Sequence, residues 1–319
     1  MLKKVIAIMT LILASHAHAW EPNGPVKAFI GFGPGSGNEI AFRGVAAEVE
    51  RNNPKVNFVI QTMPGAGGNI ALAHAVKLPA DGMTFTVSGL STYAFDPVFY
   101  PELMKFTQGD LYPVLGIARS PFVIVARPSS KVNTVKELAS HLKSGEQVFI
   151  GISGAAPFLV HSMLMEKAGG NYDTVQTVMY KGPQESAMAA ATGEVEFSIM
   201  PVTVSAPLIA GGKVKLIGLV GDKKMPQFPN AELVKDTLPG VVFNAMWNIT
   251  LPKDTPKDVV DWYVAEFGKA IHSENVKKYF DQNYMYADPF NEPVSHAKWI
   301  ATFKSQIMPV AEKAKPRFR

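Results

Sequence analysis

The stretch GFGPGSGNE, residues 31–39, decides how the amino-terminal part of this chain folds. The preceding run Val26–Phe32 predicts a strand, and residues 38–51 carry apolar side chains at helical spacing. A glycine-rich turn between a strand and a helix brings backbone N–H groups close to an anion. The stretch therefore predicts an α/β unit with an anion site, although a turn that merely joins a strand to a helix would look the same.

The anion predicted here is not a nucleotide phosphate. A P-loop needs Lys followed by Ser or Thr after its last glycine, and Asn38 and Glu39 stand there. The dinucleotide fingerprint G-x-G-x-x-G also fails, because its third glycine would fall on Ser36 or on Asn38. A carboxylate is smaller and carries one charge, so a few oriented N–H groups can bind it without lysine.

A second glycine-rich loop, Pro64–Asn69, occupies the equivalent place after the next predicted strand, 56–61. A helix over 68–76 and a strand over 84–88 complete a βαβαβ pattern, which indicates a parallel sheet flanked by helices. Loops that follow neighbouring parallel strands emerge at one edge of the sheet, where ligands bind. We therefore expect the two loops to lie side by side as a nest of backbone donors.

A second α/β unit follows between residues 121 and 220, and a strand over 243–251 leads into a mostly helical tail from Pro256. This tail has too few strands for a sheet of its own, so it is expected to return to the first lobe. The chain then forms two α/β lobes, each with a mainly parallel sheet. The predicted ranges are 20–120 plus 245–319 for lobe 1, 121–244 for lobe 2, and hinge segments near 116–126 and 242–251.

The amino terminus has the three-part layout of a secretory signal peptide. Lys3 and Lys4 precede an apolar run over residues 5–14, and Ala17-His-Ala19 is an A-x-A cleavage site. We expect cleavage after Ala19. The apolar run would form a helix of about 15 Å, about half of what a membrane span needs.

Composition excludes several classes of function. The chain has no cysteine, which removes disulfides, thiolate chemistry and a cysteine-linked lipid anchor. A net charge of +4, from 31 Lys and Arg against 27 Asp and Glu, is scattered along the chain apart from a short basic tail. Nucleic-acid binding needs a concentrated basic face, so no nucleic-acid partner is expected.

The chain resembles the substrate-binding receptors of tripartite tricarboxylate transporters, often called the Bug family, over nearly its whole length. The motifs that carry this resemblance are, in order, Gly31–Gly37, Pro64–Asn69, Ala80–Thr84, Gly151–Gly154 with His161, Tyr180–Gly182 and the strand around Trp247. The resemblance implies a periplasmic two-lobed binding protein of the Venus-flytrap type. Such a receptor captures a small carboxylate and delivers it to membrane permease subunits, as a monomer and without cofactor or metal.

The resemblance also implies which residues contact the ligand. The first loop would contribute Gly33, Gly35, Ser36, Gly37 and Asn38. The second loop would contribute Gly65, Ala66, Gly67 and Gly68, and the segment after the third strand Ser91 and Thr92. From the second lobe the ligand contacts would be Ser153, His161, Tyr180, Lys181 and Thr203.

The chain also departs from the family pattern. Asn38-Glu39 stands where a Thr-Asp pair is common in the family, and the spacing of Glu39 from Ser36 predicts a capping box. An acid so close to an anion site would repel the ligand unless its charge is paired. Residues 157–159 and 200–205 are more apolar than is usual in the family, which favours an aromatic or branched monocarboxylate over a polar dicarboxylate.

Plainer alternatives remain at this point. His161 would also serve as a structural histidine, Lys181 as a surface cation and Tyr180 as a core residue. An exported enzyme of the α/β hydrolase type acting on a small carboxylate is the rival function. Gly151-Ile-Ser-Gly-Ala155 lacks the final glycine of a nucleophile elbow, and no H-E-x-x-H motif is present.

Overall fold

The computed structural model describes residues 20–104 and 106–318, so the predicted signal peptide, 1–19, lies outside the described residues. The strands are β1 Val26–Ile30, β2 Phe58–Thr62, β3 Thr84–Gly89, β4 Leu111–Ala126, β5 Val148–Ile152, β6 Val175–Met179, β7 Phe197–Pro201, β8 Lys215–Leu219, β9 Asn244–Pro252 and β10 Tyr286–Ala287. The helices are α1 Gly37–Asn52, α2 Asn69–Ala75, α3 Ser91–Ala94, α4 Asp96–Phe99, α5 Val135–His141, α6 Ala155–Ala168, α7 Pro183–Thr192, α8 Val202–Ala210, α9 Val234–Thr237, α10 Lys257–Ile271, α11 Glu274–Gln282 and α12 Pro293–Ala314. None of these helices is long and apolar enough to span a bilayer.

The first lobe is built on the βαβαβ unit that the sequence predicts. Strand β1 pairs in parallel with β2 on one side and β3 on the other. The two glycine-rich loops therefore leave the sheet at the same edge, and they touch. A Cβ atom on Gly31 would lie 2.3 Å from the Cα of Gly68. Only glycine allows the two loops to approach so closely.

The second lobe repeats this arrangement with a mixed sheet. Strand β5 pairs in parallel with β6 and with β7, whereas β7 and β8 run antiparallel to β4. The parallel strands again place the starts of the following helices α6 and α8 at one edge, toward the first lobe.

Two antiparallel strands, β4 and β9, connect the lobes. Residues 111–121 of β4 pair with β9, and residues 122–126 pair with β7, so one 16-residue strand belongs to both sheets. Strand β9 also pairs with β3 of the first lobe. The predicted hinge segment 116–126 lies in β4, and residues 244–251 of the other predicted segment, 242–251, lie in β9.

The helical tail packs on both lobes. The apolar side of α10 and α11 joins the core around Phe42 of the first lobe. In contrast, Ile307 and Ala311 of α12 belong to the same buried cluster as Leu159 and Met165 of the second lobe. The sequence predicts the tail on the first lobe, and the carboxyl half of α12 contacts the second lobe as well.

Candidate ligand-binding site

A cavity of about 90 Å³ lies between the two lobes. A single buried water needs about 10–15 Å³, so this cavity accommodates a small molecule. The first lobe lines it with Phe32, Ser36, Gly37, Asn38, Gly89, Leu90 and Ser91. The second lobe lines it with Ser153, Ala156, Pro157, Pro183, Pro201 and Val204. The connecting strands and the residues beside them form a floor of Phe122, Phe243, Asn244, Ala245, Met246 and Trp247.

The first lobe contributes hydrogen-bond donors at the amino end of α1. The first-turn amides of a helix have no acceptor within the helix. Ser36, the N-cap residue, does not cap these amides with its side chain. Its Oγ is buried in the cavity wall and has no partner within the described residues. An unpartnered hydroxyl beside free amides is an arrangement that can bind an anion.

The charge of Glu39 is neutralised on the far side of the turn. Its Oε2 accepts a hydrogen bond of 2.8 Å from the Gly35 amide, and its Oε1 accepts one of 2.7 Å from Arg43 Nε. The predicted capping box between Ser36 and Glu39 is therefore wrong: Glu39 binds the loop amide one residue earlier, and Ser36 Oγ stays free. The same pattern at Thr134 does form a side-chain cap, since Thr134 Oγ1 accepts from the Glu137 amide at 3.1 Å.

Asn38 and Trp247 fix the position of this helix end. Asn38 donates from Nδ2 to the carbonyl of Val87 at 3.0 Å and accepts at Oδ1 from the indole N–H of Trp247 at 3.2 Å. The indole ring also packs on the backbone of Gly37, where a Cβ atom would lie 2.3 Å from Trp247 Cζ2. The end of the cavity at the start of α1 is thus attached to the floor strand β9.

No Lys, Arg, His, Asp or Glu side chain is among the residues that line the cavity. Within the described part of the chain, no cluster of three or more His, Asp or Glu residues could hold a metal ion. The arrangement can bind an acid group through backbone amides and hydroxyls, and it presents no acid–base pair to a ligand.

Residues 42–306 match the family model for the tripartite tricarboxylate transporter family receptor. The chain belongs to this receptor family. A UPF0065 protein of Bordetella bronchiseptica is 24% identical over 250 residues, which cover 78% of this chain and 73% of that protein. The protein BugT of Bordetella pertussis is 23% identical over 264 residues, which cover 81% of this chain and 80% of that protein.

Solved structures of similar fold include two proteins from Rhodopseudomonas palustris. Rpa4515, solved with adipate, superposes with a TM-score of 0.86 at 22% identity, over 92% of this chain and 98% of that one. MatC, solved with malate, superposes with a TM-score of 0.83 at 21% identity, over 92% of this chain and 100% of that one. The two-lobed fold that the sequence predicts is therefore confirmed.

The receptor brings five of the predicted site residues into the cavity wall: Ser36, Gly37, Asn38, Ser91 and Ser153. Ser91 donates through Oγ to Asp96 at 3.3 Å, and burial raises the pKa of Asp96 to about 7. Ser153 makes no side-chain hydrogen bond among the described residues, so its hydroxyl is available to a ligand.

The second glycine loop lies behind this wall. Gly67 and Gly68 line a neighbouring cavity of about 10 Å³, and Gly65 and Ala66 line neither cavity. The small cavity shares Phe32, Asn38 and Gly89 with the main one. A Cβ atom on Gly154 of the second lobe would lie 3.8 Å from the Cα of Gly67. The loop therefore supports the first loop and contacts the second lobe.

Other predicted residues stand away from the cavity wall. Lys181 is exposed, and Tyr180 donates its hydroxyl to Glu194 at 2.7 Å. Thr203 is buried beside the wall without lining it, Gly33 and Gly35 belong to the outer part of the first loop, and the side chain of Thr92 lies outside the described residues.

His161 sits in the second-lobe interior rather than in the cavity. Its ring lies 6.0 Å from that of Phe158 and 6.2 Å from that of Tyr172, measured between centroids. Burial lowers the pKa of His161 to about 4, so the ring is neutral in the folded receptor. This environment matches the structural alternative for His161.

Sequence reasoning missed the floor. Phe122 and Phe243 meet edge to face with their ring centroids 5.3 Å apart, yet they are 121 positions apart in the chain. Nothing local marks them as ligand-facing. The signal that could have identified them is their position in the two predicted hinge segments. Residues at which the chain passes from one lobe to the other border the cleft between the lobes.

Proposed function

We propose that this receptor captures a small organic carboxylate between its two lobes and delivers it to the membrane permease subunits of a tripartite tricarboxylate-type transporter. The observation that carries this proposal is the buried, unpaired Oγ of Ser36 beside the free first-turn amides of α1. The family assignment supports the transport role. The adipate and malate with which the two similar proteins were solved support the ligand class.

Binding would proceed through the first lobe. A carboxylate at the amino end of α1 would accept hydrogen bonds from Ser36 Oγ and from the amides of Gly37 and Asn38. Each hydrogen bond to a charged group contributes about 1.5–3 kcal/mol. The helix dipole adds a further favourable interaction at this end.

Closure would complete the site. The second lobe would bring Ser153 and the start of α6 over the ligand, which excludes water and strengthens the contacts with the anion. Because β4 and β9 link the lobes, small changes along these two strands would open and close the cavity. Gly67 and Gly68 would hold the first loop in place from behind.

We place the mature receptor in the periplasm as a monomer without catalytic activity. Removal of residues 1–19 after Ala19 would release it from the membrane during export. The cavity offers no ionisable side chain to a bound acid, which supports a receptor over an exported hydrolase.

Calorimetric titration of the mature protein with a panel of small carboxylic acids tests this proposal. We expect saturable binding at one site per chain, with each acid recovered unchanged after prolonged incubation. Failure of every carboxylate to bind, or conversion of one of them by the protein, would contradict the receptor function.

A further inference from the structure

We infer that the receptor takes up a proton, on Asp96, when it binds its carboxylate ligand. Asp96 stands one hydrogen bond behind the cavity wall and acts as a positioning residue through the hydroxyl of Ser91. This inference rests on the proposed function and deepens it, because it assigns a dependence on pH to the same site.

Asp96 is a buried carboxyl group without a cation. It is the first residue of α4 and is 1% exposed. No Lys, Arg or His among the described residues forms an ion pair with it. Asp288, the other buried aspartate of the described residues, binds Arg119 through hydrogen bonds of 2.9 and 3.1 Å. A buried carboxylate that lacks such a partner is costly to ionise.

The hydrogen bonds of Asp96 are long for an ionised carboxylate. Its Oδ2 accepts from Asn69 Nδ2 at 3.2 Å and from Ser91 Oγ at 3.3 Å. The same Asn69 Nδ2 donates to the carbonyl of Ala66 at 2.8 Å. Hydrogen bonds from a hydroxyl to an ionised carboxylate are about 2.5–2.7 Å long. The ionised form therefore gains little here, and burial raises the pKa of Asp96 to about 7 although both hydrogen bonds lower it.

The other groups around Asp96 do not change charge in the same pH range. Burial, together with the charge of Asp96, raises the pKa of the neighbouring Tyr100, so this phenol stays neutral. Asn69 carries no charge. On the side of α12, Lys304 lines a separate cavity with Pro97, and it does not contribute to the pKa shift of Asp96. A change of charge at this place near neutral pH is therefore a change at Asp96.

Ser91 transmits the protonation state of Asp96 to the cavity. While Asp96 is ionised, the Ser91 hydroxyl has to donate its hydrogen to Oδ2, because an ionised carboxylate can only accept. A proton on Oδ2 reverses this hydrogen bond, since the acid then donates to Ser91 Oγ. The Ser91 hydrogen becomes available to an oxygen of the ligand. Protonation thus changes Ser91 from an acceptor into a donor toward the cavity.

A bound carboxylate disfavours a second negative charge close to it. Ser91 and Ser36 line the same cavity of about 90 Å³, so a carboxylate in this small space lies near both of them and near Asp96. When two carboxylates share such a site, one of them gains a proton. Asp96 is the weaker acid of the two, because a free carboxylic acid titrates near pH 4. The proton comes from the solvent and forms an O–H bond on Oδ2 as the ligand anion enters.

Calorimetric titration in two buffers measures this proton. Hexanoate, benzoate and adipate are titrated into the mature protein at pH 7.5 in HEPES and in Tris, which differ in their heat of ionisation. An uptake of about 0.5–0.8 proton per bound ligand is expected, because Asp96 is mostly ionised before binding and mostly protonated after it. The same binding enthalpy in both buffers would overturn the inference and leave the proposed function intact. Failure of all three acids, and of succinate and malate, to bind would count against the proposed function itself.

The affinity should fall as the pH rises, because proton and ligand binding strengthen each other by the same factor. The acids are ionised throughout the range from pH 6.5 to pH 8.5, since they titrate well below it. We expect affinity to be at least about fivefold weaker at the upper end of this range than at the lower end. Equal affinity at both ends, or tighter binding at the upper end, would overturn the inference.

Asp96→Asn assigns the proton to this residue. Asparagine keeps the size of the side chain and is uncharged at every pH. We expect the proton uptake to vanish in this variant and its affinity to be the same at both ends of the pH range. Proton uptake of wild-type size in folded Asp96→Asn would contradict the inference. Asp96→Leu, which is similar in size and needs no hydrogen bonds, makes the same comparison if Asp96→Asn does not fold.

Asp222→Asn is the matched control, because Asp222 also lies one hydrogen bond behind the cavity. Its Oδ1 accepts from Nδ2 of the floor residue Asn244 at 3.1 Å. Partial burial acts to raise the pKa of Asp222, but hydrogen bonds from Asn244 and Tyr286 lower it below its ordinary value. Asp222 is therefore ionised with and without ligand, and Asp222→Asn should keep the proton uptake of wild type. Loss of the uptake in this control would contradict its assignment to Asp96.

Discussion

The indole N–H of Trp247 donates a 3.2 Å hydrogen bond to Oδ1 of Asn38, and this contact attaches the floor strand β9 to the first turn of α1. Asn38 in turn donates to Val87 near the end of β3. The donors that face the cavity are therefore held by three elements at once. Pre-organised donors bind an anion better, because little has to be ordered when the ligand arrives.

Trp247 should report ligand binding by its fluorescence. The chain has four tryptophans, and of the three others, all within the described residues, none lines the cavity. A carboxylate ligand should change the emission of the wild-type receptor and of Trp262→Phe, and this change should be lost in Trp247→Phe. The loss of the hydrogen bond to Asn38 should also weaken affinity by about threefold to tenfold. A full emission change in Trp247→Phe would contradict the placement of the ligand.

Ser36→Ala should reduce affinity without reducing stability. The Ser36 hydroxyl has no hydrogen bond to lose in the free receptor, yet it would donate to the bound carboxylate. We expect affinity to fall by about tenfold or more, as for a hydrogen bond to a charged group. The thermal midpoint without ligand should stay within about a degree of wild type or rise, because an unsatisfied buried hydroxyl is removed.

Thr134→Ala is the matched control, since it has the same sequence motif at a site far from the cavity. Thr134 does cap its helix, so its replacement should cost about 0.5–2 kcal/mol of unfolding free energy and leave affinity unchanged. Denaturant unfolding and calorimetric titration of the two variants separate the effects. A loss of affinity in Thr134→Ala, or none in Ser36→Ala, would contradict the role given to Ser36.

Two glycines of the first loop should respond differently to alanine. A Cβ atom on Gly37 would lie 2.3 Å from Trp247 Cζ2, whereas one on Gly33 meets nothing within 4 Å. Gly37→Ala should therefore displace the indole ring, destabilise the fold by about 1–3 kcal/mol and weaken ligand binding. Gly33→Ala should be close to wild type in both measurements. Similar behaviour of the two variants would show that the indole ring does not pack on Gly37.

His161→Phe should change the pH dependence of stability and leave affinity alone. Burial lowers the pKa of His161 from its ordinary value of 6.5 to about 4. Between these two pH values the unfolded chain therefore binds a proton at this residue, whereas the folded receptor does not. The stability associated with neutral His161 is present above that ordinary value and is lost as the pH falls. Between about pH 7 and about pH 5 wild type should lose about 2 kcal/mol more than His161→Phe.

His296 stays in both proteins, and burial also lowers its pKa to about 4. The difference between wild type and His161→Phe therefore isolates His161. Unfolding curves at several pH values supply the comparison. An equal acid sensitivity of the two proteins would contradict the buried, neutral state of His161. A tenfold loss of affinity in the variant would indicate that His161 contacts the ligand.

The first lobe was predictable from the sequence because its signals are local. The glycine loop after β1, the apolar stripe of α1 and the repeated loop after β2 each specify a short element and its neighbour. Parallel connectivity then brings Gly31 and Gly68 together. The wall residues Ser36, Gly37 and Asn38 were predicted from the family resemblance, and this geometry is consistent with them.

The features that were missed depend on long-range pairing. The sequence predicts a crossing near 116–126, but it does not show that a single strand, β4, belongs to both sheets because β9 and β7 pair with its two halves. The position of the carboxyl half of α12 also depends on long-range packing, because its apolar residues could pack on the core of either lobe.

A crystal structure of the receptor with a small carboxylate that binds in the calorimetric titration would test the central claim most directly. We predict carboxylate oxygens within about 2.7–3.2 Å of Ser36 Oγ and of a first-turn amide of α1. A carboxylate bound instead to Lys181 or to the amides of Gly65–Gly68, with Ser36 Oγ still unpaired, would contradict this prediction.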